Sequence, residues 1–137
     1  MTTKKATEKK EVFDYKTIQK PEDAFKRLGM DPAVMPDISK LPERFSFLTV
    51  LFILSVIVEA VNNGWKADFS NHNQRKYFIY GWVSSSGLGF SDSAYFCDYA
   101  DAFVGFPLYV ENAEKAMYIF NQFPELYKVW LLGVPLK

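Results

Sequence analysis

The segment from Arg75 to Trp82 combines two adjacent cations with alternating aromatic side chains. In an extended strand successive side chains point to opposite faces, so Phe78, Tyr80 and Trp82 share one face. Proteins that bind single-stranded nucleic acid stack bases on such rings and contact the phosphates with neighbouring cations. The segment therefore predicts a nucleic-acid site made of Arg75, Lys76, Phe78, Tyr80 and Trp82. A protein interface or packing beneath helices would use the same rings, and both interpretations stay open.

Other residue types offer little chemistry. Cys97 and His72 are the only cysteine and histidine in the chain, and a catalytic thiolate needs a base in contact and a third group that orients this base. Cys97 lies in an aromatic stretch, where a small buried thiol packs well. A zinc site usually combines several His and Cys ligands, and one histidine without a pair of cysteines does not supply them. We therefore expect no catalytic residue, no metal and no cofactor, and we do not expect an enzyme.

Charge and cysteine content restrict the partners and the compartment. Sixteen basic residues balance sixteen acidic ones, so no overall field attracts the chain to nucleic acid or to an anionic membrane. A single cysteine excludes an internal disulfide framework and is typical of a reducing compartment. The first 44 residues are polar and charged, and they predict no targeting peptide. The expected location is therefore cytoplasmic.

Residues 42–63 give the clearest helix signal. Pro42 and Glu43 favour a helix start, and Asn62-Asn63-Gly64 favours a left-handed end. Fourteen residues without charge separate Arg44 from Glu59. They would span about 21 Å as a helix, which is less than the roughly 30 Å hydrocarbon core of a bilayer. We expect a buried central helix with Ile53 in the core, and membrane insertion is not expected.

One side of this helix carries both polar and large apolar residues. Phe45, Leu48 and Phe52 follow helical spacing on the side that also carries Ser55 and Glu59. Three exposed large apolar groups would make a patch larger than monomers usually expose. The pattern predicts an interface at Phe45, Leu48 and Phe52. It would be covered by a second copy, by another protein, or by the chain's own N-terminal helix around Phe25 and Leu28.

The remaining patterns predict an α+β domain. We expect a small antiparallel sheet, made of a hairpin of 75–84 with 88–99 and a strand near 103–110, packed on the central helix and on C-terminal helices within 113–132. Pro124 should break or restart these helices. Residues 1–16 are lysine-rich and lack apolar surface, so they predict a flexible basic tail before a single domain over 17–137.

Several motifs of the second half recur together in a known group of proteins. They are Glu59-Ala60-x-Asn62-x-Gly64-Trp65-x-x-Asp68-Phe69-x-Asn71-x-x-Gln74-x-Lys76-Tyr77, Gly87-Leu-Gly-Phe-Ser91, and Leu108-Tyr-Val-x-Asn112-Ala-Glu-x-Ala116 followed by Phe123 and Leu126-Tyr127-Lys128. Over roughly residues 59–132 the chain resembles small proteins encoded by phages and prophages of Bacteroidetes. The resemblance implies a phage or prophage origin and a compact α+β fold. It implies no activity.

These observations favour two functions. The first is a non-enzymatic phage or prophage protein that acts through protein contacts, as a small structural or accessory subunit, with a protein partner or as a homo-oligomer. It is favoured by the apolar helix, by the absence of a catalytic set, and by 18 of the 24 aromatic residues lying in 65–137. The alternative is a single-stranded nucleic-acid-binding protein that uses the aromatic strand 77–82.

Overall fold

The computed structural model describes residues 12–84, 87–90, 94–96 and 106–133. Within these ranges the chain is mainly helical. The α-helices are α1 (Pro21–Arg27), α2 (Phe47–Asn62), α3 (Ala113–Gln122) and α4 (Pro124–Leu132). Short 3₁₀ turns occupy Tyr15–Thr17, Glu43–Phe45 and Phe106–Leu108, and the strands are β1 (Lys76–Phe78), β2 (Gly81–Ser84), β3 (Gly87–Phe90) and β4 (Ala94–Phe96).

Helix α2 fills most of the predicted range 42–63, but it begins later. The 3₁₀ turn Glu43–Phe45 precedes it, and regular α-helix starts at Phe47. At the other end, Asn63 adopts the left-handed conformation (φ 47°), and Gly64 also has a positive φ of 92°. Asparagine and glycine tolerate this region better than other residues, which explains why the helix ends here.

The second half of α2 is buried nearly all round. Helices α1, α3 and α4, together with the turns Tyr15–Thr17 and Phe106–Leu108, pack against α2. Its buried residues are Val50, Leu54, Val56, Ile57, Val58, Ala60, Val61 and Asn62. Ile53, expected in the core, is only half-buried at the edge of the core cluster.

Length and composition alone would allow the helical stretch Glu43–Asn62 to cross a membrane. The central helix of a folded domain meets the same criteria, because a helix covered by other elements needs an apolar surface on every side. The packing of α1, α3 and α4 around α2 gives its composition this second explanation.

The single antiparallel sheet predicted from the sequence is not confirmed in that form. The strands are three or four residues long and form two separate antiparallel pairs, β1 with β4 and β2 with β3. Three positions separate Phe78 from Gly81, whereas four separate their partners Ala94 and Phe90, so the register shifts by one residue between the pairs. The chain that continues from β4, including Cys97, lies outside the described residues.

The predicted strand near 103–110 is wrong where the structure describes it. Phe106–Leu108 form a 3₁₀ turn, since Pro107 fixes its own φ and lacks an N–H for a sheet ladder. Among the described residues of this segment, Val110 pairs with a strand through its backbone, as an isolated bridge in which it exchanges two hydrogen bonds with Tyr77, of 3.0 and 2.9 Å. Residues 103–105 lie outside the described ranges.

Both ends of the described chain pack on the helices. Pro124 starts α4 directly after Phe123, so the C-terminal segment is two helices rather than one. At the N-terminal end, Phe13 and Tyr15 pack against the core, although the sequence places them in a tail. The Tyr118 hydroxyl donates its one hydrogen between two backbone oxygens, those of Ile18 at 2.6 Å and Lys16 at 2.9 Å. The folded part therefore extends N-terminal to the predicted boundary at residue 17.

Leu54 should be one of the most costly core positions to truncate, because its side chain is 0% exposed. We expect Leu54→Ala to lower the free energy of unfolding by about 2–5 kcal/mol through lost burial and the resulting cavity. Leu51, on the same helix but half-buried, is the matched control, and Leu51→Ala should cost clearly less. Urea denaturation measures both. Equal losses would contradict the described packing of α2.

Tyr127 should make stability fall at alkaline pH. Burial raises the pKa of Tyr127 well above its usual value of 10.0, since the phenolate loses its hydration. Above about pH 10 the Tyr127 hydroxyl keeps its proton in the folded state and loses it in the unfolded state. The contribution of Tyr127 to the free energy of unfolding is therefore fully present below about pH 10 and declines as the pH rises further. Denaturation midpoints of Tyr127→Phe should fall less steeply than wild type above pH 10. Parallel curves would show that Tyr127 titrates normally.

Candidate functional site

The structure separates the two cations of the predicted nucleic-acid site. Arg75 is exposed, whereas Lys76 is only 1% exposed. The Lys76 ammonium donates to the Gln74 backbone oxygen at 3.1 Å and lies 5.3 Å from the centre of the Phe69 ring. Lys76 therefore stabilises its own loop and cannot contact a phosphate without leaving this position.

The aromatic residues of the predicted strand also differ in their exposure. Phe78 is half-buried with its ring edge-on to Tyr109, at a centroid distance of 6.2 Å and an angle of 89°. Tyr80 is 43% exposed. Among the described aromatic side chains of this stretch, it is the one classed as exposed. The side chain of Trp82, in β2, lies outside what the structure describes. One exposed ring and one exposed cation are a small platform for stacking bases.

The apolar stripe Phe45, Leu48 and Phe52 is half-buried along its length. The Phe52 ring contacts Phe25 of α1 edge-on, with centroids 5.9 Å apart. Phe45 lies against Phe47 and beneath the guanidinium of Arg44. The chain's own N-terminal helix therefore covers the Phe52 end of the stripe, which was one of the three coverings that the sequence leaves open.

A buried side-chain amide joins the end of α2 to a distant part of the chain. Asn62 is 6% exposed, and its Nδ2 donates to the Tyr109 backbone oxygen at 2.9 Å. Its Oδ1 accepts from the Glu111 backbone N–H at 3.0 Å. These two bonds fix the segment that contains Phe106, Pro107 and Tyr109 beside α2.

The loop after α2 is braced by Gln74. Its Nε2 donates to the Lys66 backbone oxygen at 2.9 Å, and its Oε1 accepts from the Asp68 N–H at 2.6 Å. The Asp68 carboxylate accepts hydrogen bonds from the hydroxyl and the N–H of Ser70, and these bonds hold the pKa of Asp68 below its usual range. The loop thus has a defined shape that positions Trp65 and Lys66.

These elements enclose a cleft, which we call the α2 cleft, with a volume of about 750 Å³. One wall is the polar side of α2, and the others are the end of α1, the braced loop and the segment Phe106–Tyr109. The lining residues are Arg27, Leu28, Ser55, Glu59, Ala60, Asn62, Asn63, Gly64, Trp65, Lys66, Ala67, Phe106, Pro107 and Tyr109. The volume lies within the range of about 300–1,000 Å³ that is usual for ligand sites.

The α2 cleft combines charged groups with aromatic surface. Arg27, Lys66 and Glu59 all line it, which leaves one net positive charge. Phe106 is 74% exposed, although it is a large apolar side chain. Charged groups beside an exposed aromatic ring are suited to non-covalent binding.

The cleft contains a single carboxyl group and no histidine or cysteine among its lining residues. In the described parts of the chain, no group of three or more His, Cys, Asp or Glu residues could hold a metal ion. Glu59 is the only titratable carboxyl group among the lining residues.

Comparison of the chain with protein-family models, with curated proteins and with solved structures found no match. The interpretation of the site therefore depends on its geometry and chemistry.

Sequence reasoning missed the α2 cleft, although it singled out some of its residues for other reasons. Ser55, Glu59 and Asn62 were recognised as the polar side of α2, and this side was expected to face water. A hint was present in Phe106-Pro107, an apolar pair within the predicted strand near 103–110. Nothing in the sequence, however, indicates that this pair returns to α2 about fifty positions away.

Removing the Asn62 amide should destabilise the domain and disturb the cleft. Asn62→Ala removes the hydrogen bonds of the buried Tyr109 oxygen and of the part-buried Glu111 N–H, and leaving a buried polar group unsatisfied costs about 1–3 kcal/mol. The exposed Asn73 provides the matched control, since Asn73→Ala should be close to neutral. Urea denaturation gives the free energy of unfolding, and the NMR shifts of the backbone amides of residues 63–67 report the cleft. Wild-type stability in Asn62→Ala would remove the structural role of this amide.

Proposed function

We propose that this chain is a non-enzymatic phage or prophage protein that acts through contacts with a protein partner, as a small structural or accessory subunit in the host cytoplasm or the virion. The observation that carries the proposal is the exposed Phe106 ring at the α2 cleft. Large aromatic residues in or beside a pocket are the side chains that most often dominate the energy of protein interfaces.

The surroundings of Phe106 support this assignment. The buried Asn62 side chain holds the segment after Phe106 by two hydrogen bonds, so the ring is presented on a fixed backbone. A preformed surface loses little conformational entropy when it binds. Charged groups in the same cleft would give the contact its specificity.

We also propose the finer fold assignment of an α+β domain, in which the two strand pairs belong to one small antiparallel sheet. Its support is the nearly continuous register of the pairs, together with the bridge from Tyr77 to Val110 on the other side of β1.

Single-stranded nucleic acid is the second proposal, and the exposed Tyr80 ring supports it. It has less support than a protein partner, since Lys76 is buried and Phe78 is turned toward Tyr109. The two proposals use different surfaces, and one experiment separates them.

A photo-crosslinking residue at position 106 tests the proposed function directly. In host cells that contain the gene, we expect benzoylphenylalanine at 106 to capture one defined protein. Met35, which is also exposed and does not line the cleft, provides the control position, where this product should be absent. The captured protein is then identified and purified, and Phe106→Ala should weaken its binding at least tenfold.

Each other outcome has a definite meaning. A product that nuclease destroys would indicate nucleic acid, and a product of twice the chain mass would identify a second copy as the partner. Equal capture from positions 35 and 106, or unchanged affinity of Phe106→Ala, would refute a partner site at the cleft.

A further inference from the structure

Arg27 is held in a fixed orientation at the α2 cleft. The Phe13 ring lies against its guanidinium, with Cζ 4.0 Å from the ring centre. On another side, Nη2 donates to Asn63 Oδ1 at 3.1 Å. A guanidinium has five N–H donors, and this is the one hydrogen bond that Arg27 makes with the described residues. A planar fork with free donors and a fixed orientation suits a carboxylate or a phosphate.

A second cation lines the same cleft. The Lys66 side chain is exposed, and it makes no hydrogen bond or ion pair with the described residues. Its backbone, in contrast, is fixed by Gln74. Neither Arg27 nor Lys66 forms an ion pair with Glu59, the carboxylate in the lining. The cleft therefore keeps charged groups of both signs available for a ligand.

The charge balance distinguishes between anions. Two cations and one carboxylate give the lining a net charge of +1, which complements a monoanion. A doubly charged phosphate would be less well balanced and would be repelled more strongly by Glu59. A carboxylate can also form two parallel hydrogen bonds with the free side of a guanidinium.

The rest of the lining is apolar and aromatic. Trp65 is half-buried, Phe106 is exposed, and Leu28 and Pro107 lie in the same lining. An apolar group of a ligand would remove part of this surface from water. A peptide supplies both features, since a carboxylate can stand beside an apolar side chain and backbone N–H groups can donate to Glu59.

We propose that the α2 cleft binds a carboxylate-bearing peptide segment of the partner, with Arg27 and Lys66 contacting the carboxylate and Phe106 and Trp65 contacting an adjacent apolar side chain. The carboxylate is either the partner's C-terminus or an acidic side chain. This inference rests on the proposed function, because it specifies the chemistry of the partner at the same cleft.

Three small probes test the inference on the full-length ¹⁵N-labelled protein by NMR titration. N-acetylphenylalaninate carries an apolar ring and a terminal carboxylate, and N-acetylphenylalaninamide lacks only the charge. We expect the carboxylate probe to shift the amides of residues 63–67 saturably and to bind at least tenfold more tightly than the amide. Equal affinity of the two probes, or no shift with either, would overturn the proposal.

The third probe, N-acetyl-Phe-Asp-amide, identifies the source of the carboxylate. If it binds more tightly than N-acetylphenylalaninate, the site takes an acidic side chain, and the reverse order indicates a chain terminus. Phenyl phosphate serves as the competing anion. Tighter binding of phenyl phosphate than of either carboxylate would contradict the assignment of a monoanion.

Variants assign the contacts. Lys66→Gln should weaken the carboxylate probe at least threefold without loss of stability, because its side chain has no partner in the described structure. Arg27→Lys keeps the charge but loses the fork, and it should weaken the probe similarly. Glu59→Gln removes the like charge and should tighten binding. Arg44→Gln is the control, since Arg44 is stacked on Phe45 and does not line the cleft. Equal effects at positions 44 and 66 would reduce the result to general charge attraction and overturn the site.

This test fails independently of the proposed function. If a partner is captured at position 106 but no carboxylate probe binds, the peptide chemistry is wrong and the partner site stands. If the probes bind as expected but no protein is captured, the anion site is real and its natural ligand is not a protein.

Discussion

The fold depends on the two hydrogen bonds made by the buried side chain of Asn62. They join the last turn of α2 to the backbone of Tyr109 and Glu111, which are 47 and 49 positions away. A buried amide that is fully paired specifies a single arrangement, because any shift of the two segments would leave polar groups unsatisfied. Val110, which lies between these two residues, bridges to Tyr77, so the same short segment connects α2 to β1.

This arrangement explains the composition of α2. An apolar helix of this length resembles a membrane span by composition, but α1, α3, α4 and the turn Phe106–Leu108 pack against it. Its polar residues are used in different ways: Asn62 is buried and paired, Ser55 donates to the Leu51 backbone oxygen at 2.7 Å, and Glu59 lines the α2 cleft. The polar side of α2 therefore contributes to the domain and to its candidate site rather than simply facing water.

Local signals predicted the helices well and the long-range contacts poorly. The helix ends depend on neighbouring residues: proline at helix starts, the Asn63-Gly64 end and the Asn112 cap. The Asn112 Oδ1 accepts from the Lys115 N–H. The sheet was overestimated near 103–110, because Phe106–Leu108 form a 3₁₀ turn in which Pro107 has no N–H for a sheet ladder. The sequence suggests phosphate binding by Lys76 because its burial cannot be seen locally. That burial depends on Phe69 and on the fold of the loop. The cleft depends on contacts between residues about fifty positions apart, and no local pattern encodes them.

The backbone amide of Glu111 tests this account most directly. Its side chain is exposed, and the residue belongs to no helix or strand, so an ordinary loop amide at this position would exchange its hydrogen rapidly. Hydrogen exchange measured by NMR should instead show strong protection, close to that of the core amides of α2, because its N–H donates to the buried Asn62 Oδ1 at 3.0 Å. Exchange at the rate of an unprotected loop would contradict the link between α2 and the segment that forms the wall of the cleft.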